Sequence, residues 1–209
     1  MHIPRPKITE SDIKLLIDDL LLLIDQPTAK ELPPCPNCEV KNKPEWINGN
    51  CSSKCFNAAS ALSEDPDRYP IEENVVPLVF ELTSMRLVQT CWSCEGHLDI
   101  DGTLWKIPQV SFYSTRPIYS QLLCNYLSRL HWKKVLNYPW EIVLTNYGYT
   151  WDITYTIRCN MSQAINPNIY LMQKDLLKMA DNLSSAIKDD AKSLIKDLKS
   201  NLDHVNHEG

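Results

Sequence analysis

The residues best suited to chemistry are the cysteines, of which the chain has eight. Cys35-Pro-Asn-Cys38 is followed, beyond Trp46-Ile-Asn-Gly49, by Cys51-Ser-Ser-Lys-Cys55. A C-x2-C turn presents two sulfurs to one ion, and a C-x3-C pair at a helix start completes a tetrahedron of thiolates. Zn²⁺ accepts that set at about 2.3 Å per sulfur. Cys35, Cys38, Cys51 and Cys55 are therefore the expected ligands of one structural zinc ion. Four thiolates leave no open coordination position, so this ion would hold structure and perform no catalysis. Disulfides or an iron–sulfur cluster are the competing uses of the same residues.

A second constellation, Cys91-Trp-Ser-Cys94-Glu-Gly-His97, precedes Asp99-Ile-Asp101-Gly102. Cys91, Cys94 and His97, three residues apart, suggest a second metal site. Cys124, Cys159, His131 or a water would fill the fourth position. An open position would allow catalytic zinc chemistry, with bound water acidified by the metal, and Glu95 and His97 as the catalytic residues, Glu95 moving the proton. Two other readings stand beside it. A redox C-x-x-C needs a helix N-terminus to acidify its thiols, and the sequence after Cys94 reads as a loop. Alternatively, Cys91 and Cys94 are small buried residues at a strand end, with an ordinary turn at 99–102. Neither H-E-x-x-H nor H-x-E followed by P-C-x-x-C occurs.

Other chemistries are excluded more firmly. The five glycines are too far apart for a dinucleotide fingerprint, a Walker A loop or a G-x-S-x-G elbow. The 209 residues suffice for a real core, and 44% hydrophobic with 22% charged residues is an ordinary globular composition. A formal charge of −5 gives no general attraction to nucleic acid or anionic lipid. Lys41, Lys43, Lys54 and Trp46 beside the first cysteine cluster keep nucleic-acid contact as a minor alternative. The apolar run Leu15–Ile24 contains Asp18 and Asp19 and is too short to span a bilayer. The opening residues carry no apolar signal core, so a soluble, cytoplasmic protein is expected, where paired cysteines serve as thiolate ligands.

The elements that must position these residues follow from periodicity and punctuation. Thr9 and Asp12 form a capping-box pattern ahead of Ile13, Leu16, Ile17, Leu20, Leu23 and Ile24 at helical spacing, and Pro27 ends that helix. Residues 31–56 hold too few large apolar side chains to make a core without a metal staple. Val75–Leu82 and Met85–Trp92 read as strands, as does Leu104–Tyr113, with Pro108 marking a bulge or edge. Residues 117–136 read as a helix with Pro117 in its first turn, Trp140–Thr145 as a strand, and 151–159 as an alternating strand. Strand, helix and strand make a βαβ crossover with parallel strands, in a mixed β-sheet. Asn168 caps a final helix whose stripe runs from Met172 through Leu176, Met179, Leu183, Ile187, Ala191 and Leu194 to Leu198.

The Cys-Pro-x-Cys … Gly-x-Cys-Ser-x-x-Cys block resembles a treble-clef zinc knuckle. Together with Asp65-Pro-Asp-Arg68, Pro77-Leu-Val-Phe-Glu-Leu82, Cys91-Trp-Ser-Cys-Glu-Gly-His97, Leu104–Tyr113 and Pro139-Trp140, it resembles a family of uncharacterised bacterial proteins over about residues 35–160. That resemblance implies no activity. The expected architecture is α+β. It comprises an N-terminal helix in 1–30, a zinc knuckle in 31–66, a mixed α/β domain in 74–165 and a long helix in 168–205 packed on the sheet. The expected function is a zinc-binding protein that acts as a binding or regulatory module on an unknown ligand or protein, through a cleft near residues 91–101. The alternatives are a metal-dependent hydrolytic enzyme and a nucleic-acid-binding zinc protein.

Overall fold

Thr9 and Asp12 start the first helix as their pattern requires. The Thr9 N–H donates to Asp12 Oδ2 at 2.8 Å and the Asp12 N–H to Thr9 Oγ1 at 3.2 Å. Helix α1 then runs over Glu10–Asp25 and buries Ile17, Leu20 and Leu23, the middle of the expected stripe. The computed structural model describes residues 8–28, 71–114, 116–145 and 153–207. The expected zinc knuckle at 31–66, with Cys35, Cys38, Cys51 and Cys55, lies outside the described residues.

The remaining described elements are α2 (Val76–Ser84), β1 (Val88–Cys94), β2 (His97–Leu98), β3 (Leu104–Lys106), β4 (Gln109–Ser114), α3 (Pro117–Trp132), β5 (Trp140–Thr145), β6 (Thr154–Cys159), α4 (Ile169–Ala180) and α5 (Leu183–His207). The protein is α+β, as its sequence suggests, with a four-stranded sheet ordered β1-β4-β6-β5 and a two-stranded ribbon β2-β3. Among the described residues every strand pairing is antiparallel. The crossover through α3 is present, but β6 lies between the two strands it connects. β4 and β5 therefore point the same way without touching, each paired to β6.

Three local expectations are corrected. Val75–Leu82 is not a strand, because Val76–Ser84 is helical with Pro77 in its first turn. The segment is buried on nearly every side (Val76, Pro77, Leu78, Val79 and Leu82), and periodicity cannot separate a buried helix from a buried strand over so short a run. The expected strand at 104–113 divides at Ile107-Pro108 into β3 and β4, which join different sheets. The last helix divides at Asp181-Asn182, where Asn182 takes φ +61°. Its apolar stripe continues across the break, which hid it.

Core and layers follow from the two faces of the sheet. Val110, Phe112, Ile157, Cys159 and Trp140 face one side and form a cluster with Tyr119, Leu123, Tyr126 and Leu127 of α3. The opposite face carries buried hydroxyls. Ser111 Oγ and Thr156 Oγ1 are 2.8 Å apart, Thr156 reaches Thr145 Oγ1 at 2.9 Å, and Thr154 Oγ1 donates to the Thr145 carbonyl. Burying hydroxyls is tolerable because each finds a partner. Outside the sheet, α1 packs on α5, and α2 packs on β1, α4 and α5.

Two carboxylates tie α4 and α5 in place. Glu81 of α2 accepts from the N–H and hydroxyl of Ser184 in the first turn of α5, where the exposed N–H groups and the helix dipole favour an anion. Asp175 of α4 is wholly buried and accepts from the N–H groups of Asn137 and Tyr138, from Asn137 Nδ2 and from Trp140 Nε1. Among the described residues no helix is long and apolar enough to cross a membrane.

Candidate metal centre

The second cysteine constellation lies where β1 ends and the β2-β3 ribbon begins. β1 delivers Cys94 as its last residue, Glu95-Gly96 forms the turn, and His97 opens β2. Gly96 takes φ +85°, and a Cβ there would meet Pro108 Cδ at 2.7 Å and the Lys106 carbonyl oxygen at 2.9 Å. Only glycine satisfies both conditions, so this turn is built on the residue's lack of a side chain.

The third participant comes from the segment ahead of α2. The Glu72 carboxylate brings Oε1 to within 2.9 Å of His97 Nε2, while Oε2 accepts the Glu95 N–H at 2.6 Å. Glu95 answers in kind, because its own carboxylate accepts from the N–H and Nδ2 of Asn74, each at 2.9 Å. Two acidic residues thus cross over, each binding the other's loop. Gln173 of α4 adds a third tie, donating from Nε2 to the Glu95 carbonyl at 3.2 Å.

One ligating atom each from Glu72, Cys94 and His97 lies within 4.8 Å of the other two. A carboxylate oxygen, a thiol sulfur and an imidazole nitrogen form a donor set suited to Zn²⁺ and neighbouring divalent transition metals. Cys94 is buried, with His97 and Glu72 half-buried around it. Burial pushes the Cys94 thiol above its ordinary pKa. The Gly96 N–H, donating to the sulfur at 3.4 Å, pulls it down, the Glu72 carboxylate raises it, and Lys106 opposes Glu72. A divalent cation among these groups would remove the penalty, since thiolate and carboxylate would then face positive charge.

The structure brings together Cys94 and His97 of the expected residues and adds Glu72, whereas Cys91 is exposed and stands outside the group. The reason is geometric. β1 runs through both cysteines, so the C-x-x-C is not a turn, and the pairing of β1 with β4 shifts register at Cys91, between Thr90 and Trp92. The Glu95 carboxylate is held by Asn74 and is not a member of the ligating group. Cys159 is a core residue on β6 whose thiol is pushed up to about 12, chiefly by burial. Cys124 is half-buried, its thiol also raised by burial. The residue that spacing missed is Glu72, which stands in a polar stretch far from the cysteines in sequence. No periodicity marks it.

The surroundings are aromatic and cationic. Trp105 is 70% exposed, and its ring centroid lies 6.0 Å from that of His97. Lys106 Nζ sits 4.5 Å above the ring of Trp92, and Leu98 and Ile100 are also exposed. The turn linking β2 to β3 is an ordinary one. The Gly102 N–H donates to the Asp99 carbonyl, Gly102 takes φ +82°, and Asp101 Oδ1 accepts from both the N–H and hydroxyl of Thr103. Comparison with protein-family models, curated proteins and solved structures finds no match to this chain.

Proposed function

We propose that this is a zinc-binding protein that acts as a binding or regulatory module, with a metal centre at Glu72, Cys94 and His97. The observation that carries the reading is the convergence of three chemically different ligating atoms from two separated segments within 4.8 Å. The exposed Trp92, Leu98, Ile100 and Trp105 around it support a contact surface near residues 91–101. A second, structural zinc ion at Cys35, Cys38, Cys51 and Cys55 belongs to the same proposal and rests on their spacing alone. Metal analysis of the purified chain tests both parts. Two zinc ions per chain are expected, with one lost in Cys94→Ser or His97→Ala and the other in Cys35→Ser or Cys51→Ser. A chain that binds no zinc, or whose zinc is indifferent to Cys94 and His97, overturns the centre.

The alternative reading is a metal-dependent hydrolase. One observation favours it: three protein donors leave a tetrahedral ion one position for water. Against it, the Glu95 carboxylate is already engaged by two donors of Asn74 and is poorly placed as a general base. Hydrolysis of a simple ester or phosphoester that depends on zinc and on His97 would favour the enzyme.

A further inference from the structure

We propose that the fourth position of a metal ion held by Glu72, Cys94 and His97 takes a small oxyanion from solution, with Lys106 as the anion's second contact. The inference rests on the metal reading of this site and names the class of ligand that the centre would bind.

The argument begins with the number of donor atoms. Glu72 is counted for one oxygen, its Oε2 being engaged by the Glu95 N–H at 2.6 Å. Cys94 and His97 supply one atom each, so the described residues furnish three donors for an ion that takes four. Charge supplies the second step. A divalent ion, a thiolate, a carboxylate and a neutral imidazole sum to neutrality, so the ligand set alone has no preference for an anion. Lys106 decides the matter by adding a positive charge beside the centre.

Its placement is fixed by the fold. His97 and Lys106 are paired residues across the β2-β3 ribbon, so their side chains leave on the same side. Trp92 and Cys94 are two apart on β1 and likewise share a face. Lys106 Nζ rests 4.5 Å above the Trp92 ring, which holds the ammonium over the face from which Cys94 projects. The lysine is therefore restrained, not free to sweep through solvent. An anion bound to the metal would meet the ion on one side and a positioned ammonium on the other. Half-exposure of Glu72 and His97 leaves a small ligand an approach from solvent. A carboxylate or a phosphate oxygen supplies the chemistry, because either can donate a lone pair to the ion and accept from Lys106.

The test uses the full chain loaded with Co²⁺, whose thiolate-bound visible bands report coordination. Only the bands that disappear in Cys94→Ser are followed, which excludes other cysteine sites. Sodium acetate and inorganic phosphate are titrated separately at constant ionic strength. The expected result is a saturable change in those bands with at least one of the two anions. In Lys106→Gln the anion's affinity should fall about tenfold, while Co²⁺ affinity stays within about twofold. Bands that respond to neither anion, or an anion affinity unchanged in Lys106→Gln, overturn the proposal while leaving the metal centre standing. Absence of any Cys94-dependent band removes the metal centre itself, and the anion site with it.

Discussion

Glu72 Oε1 faces His97 Nε2 at 2.9 Å, joining the segment ahead of α2 to the start of the β2-β3 ribbon. The contact is an ion pair if the imidazole is protonated, and two-thirds of a ligand set if it is neutral and a cation is present. Removing either partner separates these descriptions. Glu72→Gln and His97→Ala should each lose the second metal ion, whereas Cys91→Ser should keep it, because Cys91 is exposed and stands outside the ligating group. Inductively coupled plasma mass spectrometry on the three variants measures this directly. Equal zinc loss in Cys91→Ser would put that residue back into the ligand set.

Gly96→Ala tests whether the turn, and not just the ligands, builds the site. The new Cβ would stand under 3 Å from Pro108 Cδ and the Lys106 carbonyl, at a positive φ that L-residues resist. A loss of about 2 kcal/mol in stability is expected, together with weaker metal binding, since His97 is the next residue. Gly102→Ala makes the comparison, with a similar φ but nothing within 4 Å of the added carbon. Its smaller loss, read by urea unfolding, would isolate the contribution of the clash.

Asp175 is the most heavily used buried carboxylate among the described residues. Asp175→Ala would leave the N–H of Tyr138 and the indole of Trp140 without their acceptor in the core, at a cost of about 3 kcal/mol. Trp140→Phe removes one of those donors along with its need and should cost about 1 kcal/mol. Denaturant unfolding of the two variants gives the ratio, and equal losses would show that the carboxylate matters only through Trp140.

Alkaline pH should destabilise the protein in a defined window. Tyr126 is raised from 10.0 to about 12, mainly by burial and next by Asp181, and Cys159 rises from 9.0 to about 12 by burial. In the unfolded chain both release protons earlier than in the folded one. The unfolded state then binds fewer protons, and stability falls as pH rises. The contribution is complete below about pH 9 and is lost towards pH 12. Tyr126→Phe should flatten the upper part of that slope, while lowering stability at neutral pH through lost hydrogen bonds to the Met179 and Asp181 carbonyls. Urea midpoints for both proteins at neutral and alkaline pH are the measurement.

The legibility of this chain from its sequence divides along chemical range. The cap at Thr9 and Asp12, the stripe of α1, the cap at Asn168 and the strand at 154–159 are local patterns, and the structure has them where the residues indicate. What was hidden depends on contacts between distant segments. Glu72 reaches His97 and the Glu95 N–H from beyond α2, and nothing in its neighbours announces that. Cys91 looked equivalent to Cys94 because spacing alone does not distinguish a turn from a strand. The helix at Val76–Ser84 was masked by β-branched residues whose burial is dictated by α4, α5 and β1 around it. Asn182 interrupts an apolar stripe that stays in phase across the break, so no irregularity was visible.

The insertion of β6 between β4 and β5 has a consequence for how the chain becomes itself. Both neighbours of β6 are made before it, and neither can pair with the other across the gap it fills. During synthesis β4 already has β1 to pair with, whereas β5 has no native partner until β6 has been made. Only when residues up to Cys159 have been released can β6 slide in and satisfy two strands at once. The turn carrying Cys94 and His97 belongs to the half that can form early, so a metal ion could be captured there before the other half of the sheet exists.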